Sequence, residues 1–186
     1  MQGIRFKALG KGNVEMSNKE RIKLPQLQGH GCFACGTENP IGLNLQFFSE
    51  GSAVCTEITL DKVYEGWEGI AHGGIVSTLL DEVMSWAILY SKRVFIVTRN
   101  MTVKYIRPIM IGTPLLITGQ MTDTQTFPRI GAEAEIRDRE GGLLVKGSAE
   151  FVALSGEKFS SIPESYKNEM NLLFEKFEEH SKNTNS

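Results

Sequence analysis

The chain has 186 residues, with 20 Lys and Arg against 22 Asp and Glu and a formal net charge of −2. That length suits one domain with appended tails, and the balanced charge excludes a nucleic-acid binder resting on a clustered basic surface. A hydrophobic share of 41% and a charged share of 23% exclude a wholly disordered chain, and no apolar run approaches the ~20 residues of a membrane span.

Three cysteines, an odd and small number, argue against a disulfide scaffold and for a reducing, cytoplasmic setting. Residues 1–28 are polar and without a sustained period, and are expected to form an N-terminal arm with no signal-peptide core. The turn-rich stretch His30 to Pro40 opens the folded part. Leu43 to Phe47 alternates apolar and polar, as a half-buried strand does. Glu50-Gly51-Ser52 is a turn signal, and Ala53 to Leu60 alternates again, which predicts a hairpin.

Past the glycines of the loop that follows, the period changes. Gly73 to about Tyr90 reads as a helix, with Ser77, Thr78, Asp81, Glu82 and Ser85 on one stripe. At about 100° per residue that stripe is roughly 140° wide, and the rest of the circumference is apolar. Such a helix is buried. Four strand-like runs follow: Phe95 to Ile106, Pro114 to Thr122, Arg129 to Arg137 and Leu143 to Leu154. The turns between them are Pro108 to Gly112, Asp123 to Pro128 and Glu140-Gly141-Gly142. No strand is followed by a helix, so a doubly wound parallel sheet is disfavoured. The expected fold is α+β, with an antiparallel sheet of five or six strands curled around one long central helix. Beyond residue 155, Pro163 marks a helix start and Asn168 to Lys182 is amphipathic. The expected organisation is an arm over 1–28, one domain over 29–155 and a charged helical tail over 156–186.

The chemistry concentrates at Gly69 to Asp81. Glycine costs up to about 1 kcal/mol inside a helix, yet His72-Gly73-Gly74 opens one. At a helix start, glycine lets another group approach the backbone, where amides lack internal partners and the dipole is positive. A Gly-Gly start is therefore a candidate oxyanion site, although the glycines could equally serve only to admit the helix into a crowded sheet. Asp81 sits mid-helix beside small polar residues, which suits a groove lining better than a convex face. Eight residues separate Gly73 from Asp81, about 12 Å at 1.5 Å each, too far for both to act on one carbonyl and one water. If both serve one reaction, the Asp comes from a second copy of the chain in a two-fold dimer.

His72-Gly73-Gly74, six residues and then Asp81 resembles the motif of hotdog-fold acyl-CoA thioesterases, the phenylacetate-pathway type and the mammalian thioesterase-superfamily members in particular. Val97 to Pro108, with its Tyr105-x-Arg107-Pro108 ending, resembles the strand after that family's central helix. The Cys32-Phe33-x-Cys35-Gly36 … Asn39-Pro40-x-Gly42-Leu43 opening is similar to that of many bacterial relatives. The resemblance implies a thioesterase hydrolysing an acyl- or aroyl-CoA thioester, the coenzyme A ester being substrate and no metal or redox cofactor being required. It implies a homodimer with shared active sites, or a tetramer of paired dimers.

The resemblance further implies that the Gly73 amide polarises the carbonyl, and that Asp81 acts as general base on water or as a nucleophile forming a mixed anhydride. Thr98 would hydrogen-bond the water or the Asp. Gly74 would border the bound ester. Lys104, Arg107 and Arg129 would meet coenzyme A phosphates, and the strand through Arg99, Asn100 and Met101 would line the pantetheine tunnel. The stretch Tyr64 to Ala71 lacks the Asn, Gln or His that some relatives use as a second oxyanion donor, which leaves Trp67 Nε1 or a water. His72 is expected to fix its loop by a hydrogen bond. Trp67, Met84, Trp86 and Phe127 are candidates for pocket wall or for plain core.

A non-catalytic acyl-CoA-binding or sensor protein is the alternative on the same fold. A dehydratase would want an acid/base His and Asp on a different loop, and no such pair is present. His30-x-Cys32-x-x-Cys35 offers three close ligands without a clear fourth, so no metal is assigned. A redox role is disfavoured because nothing nearby in the sequence depresses a thiol pKa.

Overall fold

The computed structural model describes residues 21–122 and 126–184. Nine strands and three α-helices are described: β1 Ile22–Lys23, β2 Phe47–Glu50, β3 Ala53–Thr59, β4 Glu65–Trp67, β5 Ile70–Ala71, α1 Gly73–Lys92, β6 Ile96–Tyr105, β7 Pro114–Thr122, β8 Arg129–Asp138, β9 Leu143–Ala153, α2 Gly156–Ser160 and α3 Glu164–Thr184. Seven strands form one sheet in the order β1-β2-β3-β7-β8-β9-β6, and β4 and β5 pair separately. Every described pairing is antiparallel. The sheet wraps α1, which is the arrangement expected from the sequence. It has seven strands rather than five or six, because β1 adds a short edge strand beside β2.

The helix boundaries follow from local chemistry. His72 is extended (φ −63°, ψ 130°) and caps the first turn, while Arg93 ends the helix in the left-handed region (φ 53°) behind Lys92 in the last turn. Val76, Leu79, Leu80, Val83, Met84, Trp86, Ala87 and Ile88 are buried, so most of the circumference faces the sheet. Met84 and Trp86 are thus core, and Trp86 stacks on Phe47 with centroids 4.2 Å apart. Trp67 and Phe127, by contrast, are exposed.

α1 lies close over β7 at Gly119, where an added Cβ would sit 2.9 Å from the Val83 carbonyl oxygen. Backbone cannot yield there as a side-chain tip does. Gly119→Ala is expected to push the helix off the sheet and cost about 1–3 kcal/mol, which an equilibrium denaturation midpoint would register. An unchanged midpoint would mean that the helix and sheet separate freely at this point.

The expected strand over Leu43 to Phe47 begins only at Phe47. Asn44 adopts a positive φ of 47°, which breaks the extended run. The Leu43 and Leu45 amides are spent on the carbonyls of Phe33 and Ala34, so this stretch is tied to the cysteine loop and not to a strand. Of the arm over 1–28, residues 1–20 lie outside the described residues, while Leu24 and Leu27 are buried against the core. The expected turn over Asp123 to Pro128 falls partly outside them too, at 123–125.

The tail helix starts at Glu164, directly after Pro163 as expected, and buries Met170, Leu173, Phe174 and Phe177 of its amphipathic stretch. Among the described residues no helix is long and apolar enough to cross a membrane. β6 closes one end of the sheet with its outer edge unpaired among the described residues, and carries Val97 and Tyr105 exposed.

Candidate active site

The start of α1 is built around one peptide unit. Tyr105 OH donates to the Gly73 carbonyl at 2.8 Å, and Ser77 Oγ donates to the same oxygen at 3.0 Å. At the other end of that unit the Gly74 amide donates to His72 Nδ1 at 3.0 Å. His72 therefore spends the Nδ1 lone pair as a helix cap. The Gly73 amide belongs to the preceding peptide and donates to no group among the described residues. Glycine at 74 leaves room for this cap, since a Cβ there would come 3.0 Å from His72 Nδ1 and press on the ring. A cavity of about 340 Å³ opens at this corner, lined by Ala71, Gly73, Val76, Tyr105 and Arg107 among others. Motif spacing carries no sign of this role for Tyr105, because the role depends on β6 crossing the helix start 32 residues on.

Two turns along the helix, Thr98 Oγ1 donates to Asp81 Oδ1 at 2.8 Å. Burial raises the Asp81 carboxyl above its ordinary value, and the Thr98 hydrogen bond opposes that shift. A bulge in β6 between Thr98 and Asn100 sets the register. It leaves Thr98, Met101, Val103 and Tyr105 toward the helix and sends Asn100, Thr102 and Lys104 to the opposite face. Within one chain, then, Asp81 with Thr98 and the Gly73 corner are two separate groups, as the helical rise requires.

The cationic candidates are scattered. Arg99 and Arg129 share Glu150, the latter at 3.9 Å. Arg107 lines the helix-start cavity, donates to the Leu143 carbonyl at 3.0 Å and lies 3.6 Å from Asp138. Lys104 is exposed and sits opposite Lys146 on β9, a local excess of positive charge.

On the other side of Asp81, Glu82 meets the cysteine loop. One oxygen of Glu82 and the sulfurs of Cys32 and Cys35 all lie within 4.8 Å of one another. Trp86 Nε1 donates to Glu82 Oε1 at 3.0 Å. Burial pushes the Glu82 carboxyl up to about 7. A hydrogen bond from Cys35, joined by the Cys35 and Ala34 amides, pulls the Cys32 thiol down to about 5. The Cys35 thiol goes up, because it donates to Cys32 and is buried. The sequence-based expectation that nothing depresses a thiol pKa here is therefore corrected. The depressing groups are backbone amides and a neighbouring thiol, arranged by the turn and not legible in side-chain identity.

Residues 68–144 match the family model of the thioesterase superfamily. A solved structure of a thioesterase superfamily protein is 27% identical, the match covering 62% of this chain and 56% of that one at a TM-score of 0.58. The chain thus spans little more than half the length of that relative. Zebrafish thioesterase superfamily member 2 is 25% identical, with 63% of this chain and 89% of that one covered and a TM-score of 0.55. A Streptococcus mutans protein, solved bound to acetyl-CoA, is 20% identical over 66% of this chain and 98% of that one, TM-score 0.56, and shows the shared fold. No curated protein matches the sequence. The fold is the hotdog fold, and the likeness to the thioesterase superfamily read from the sequence is confirmed over the segment that holds the helix start, Asp81 and Thr98.

Proposed function

We propose that this hotdog chain of the thioesterase superfamily hydrolyses an acyl- or aroyl-CoA thioester at a site shared between two copies. The reading is carried by one observation: an Asp81 carboxylate, held by Thr98, on the open side of a helix whose first amide is unspent among the described residues. The ester carbonyl accepts from the Gly73 amide of one protomer, at the positive end of α1. Asp81 of the other protomer takes a proton from water as the oxygen adds to the carbonyl carbon. Collapse of the tetrahedral intermediate breaks the carbon–sulfur bond, and the thiolate of coenzyme A leaves with the free acid as the second product.

The second protomer follows from distance, since about 12 Å of helix separates the two groups in one chain. The open edge of β6 favours the same pairing. It is a ten-residue strand whose outer edge is unpaired among the described residues, with Val97 and Tyr105 exposed, a liability that a two-fold partner removes. Lys104 and Arg107, at or near the end of that strand, offer charge to phosphates. The acetyl-CoA of the Streptococcus mutans neighbour lends the ligand class, by fold likeness.

The test is a panel of aliphatic and aromatic CoA thioesters with detection of the released thiol. Hydrolysis of at least one of them, by a protein that elutes as a dimer or larger, is the expected result. Tight binding of the esters with no thiol released from any would instead establish a non-catalytic acyl-CoA-binding protein.

A further inference from the structure

We propose that Cys32, Cys35 and Glu82 form a binding site for one tetrahedral divalent metal ion of the zinc type, which staples the cysteine loop to the central helix. The site is independent of the hydrolytic reading, and stands or falls by itself.

Three observations carry it. Two sulfurs and a carboxylate oxygen converge within 4.8 Å of one another. A tetrahedral shell with metal–sulfur bonds near 2.3 Å places its sulfurs about 3.8 Å apart, so a small closure completes the geometry. The loop is already closed into a tight turn that holds the two cysteines side by side. The Gly36 amide closes the turn on the Cys32 carbonyl at 2.9 Å, and the Leu45 amide ties the loop down at the Ala34 carbonyl, also at 2.9 Å. A Cβ at Gly36 would overlap the Cys32 backbone, so only glycine fits.

Glu82 is the third observation. It enters the same pocket from α1, is held by Trp86 Nε1, and has no basic partner among the described ion pairs. A half-buried carboxylate beside two thiols favours a cation between them, and soft thiolates with one oxygen select a zinc-like ion. The Trp86 bond supplies the outer-shell support that orients a metal-ligating carboxylate. Cys32 is exposed, so a water can take the fourth position. His30 is outside the three-residue cluster.

The test uses the full chain, stripped by a chelator under reducing conditions and titrated with Co²⁺ and then Zn²⁺. One equivalent of Co²⁺ should produce thiolate charge-transfer absorption with tetrahedral ligand-field bands, displaced by Zn²⁺. Zinc should protect Cys32 and Cys35 from alkylation. Cys32→Ser, at an exposed position, and Glu82→Gln should each weaken zinc by more than the 10- to 100-fold typical of losing a mere supporting group, with circular dichroism showing the fold retained. Absence of the thiolate bands, or equal affinity in Glu82→Gln and the parent, would overturn the site. So would recovery of the metal-free pair as a disulfide that neither chelation nor zinc affects.

Discussion

Asp81→Asn is expected to lower kcat for thioester hydrolysis by about 10²- to 10⁴-fold, the usual worth of a positioned general base, while leaving the melting temperature and ester binding nearly unchanged. Asparagine keeps the shape and can still accept the Thr98 hydroxyl that Asp81 accepts at 2.8 Å, so only the proton-accepting power is lost. On the proposed mechanism, the parent protein should show an acid limb in its pH–rate profile. Burial raises the Asp81 carboxyl, so the rate falls, as pH drops, at a higher pH than an ordinary aspartate would set, because the protonated acid cannot take a proton from water. An Asp81→Asn protein with full activity on every substrate would remove Asp81 from the mechanism. The same variant tests the shared site. Gly73→Pro deletes the amide proton at the first helical position, where proline is tolerated. Mixed dimers of the two inactive chains contain one intact site, so random mixing should recover about a quarter of the parent activity. No recovery would place both groups of a site in one chain.

Phe177→Ala should destabilise the protein by about 3–5 kcal/mol, as removal of a buried aromatic does, with a fall in melting temperature on the order of 10 °C. Phe177 is fully buried in α3. It meets Trp86 edge-on at 5.7 Å and Tyr90 at 5.3 Å, both on α1. Arg93, the left-handed residue that ends α1, lies 5.3 Å from the Phe177 ring and donates to Ser181 Oγ at 3.1 Å. α3 thus fixes the C-terminal end of the central helix. Should alanine prevent folding altogether, Phe177→Leu keeps most of the volume and should give a smaller shift of the same sign. A melting temperature unchanged in both variants would show that α3 only rests on the surface.

The sequence determined what local chemistry can determine. The apolar circumference of Gly73 to Tyr90 specified a buried helix, and the alternating runs after it specified antiparallel strands within a residue or so of their observed ends. The motif around His72, Gly73, Gly74 and Asp81 is contiguous and lies on one element, so its spacing alone located both candidate groups. The tail helix was legible by its period, but not the core it shares with α1, since period says which face is apolar and not what covers it.

Tertiary structure decided whatever depends on which elements cross. Tyr105 clamps the Gly73 carbonyl only because β6 passes the helix start. Leu43 to Gln46 was lost as a strand because the cysteine loop captured the Leu43 and Leu45 amides before a sheet partner could. The cysteine pair offered too few ligands in sequence because Glu82 lies 47 residues beyond Cys35, on another element. Periodicity and motif spacing report interactions over a few residues of chain, whereas a clamp or a ligand cluster is assembled by long-range packing, and its partners carry no shared signal until the chain has folded.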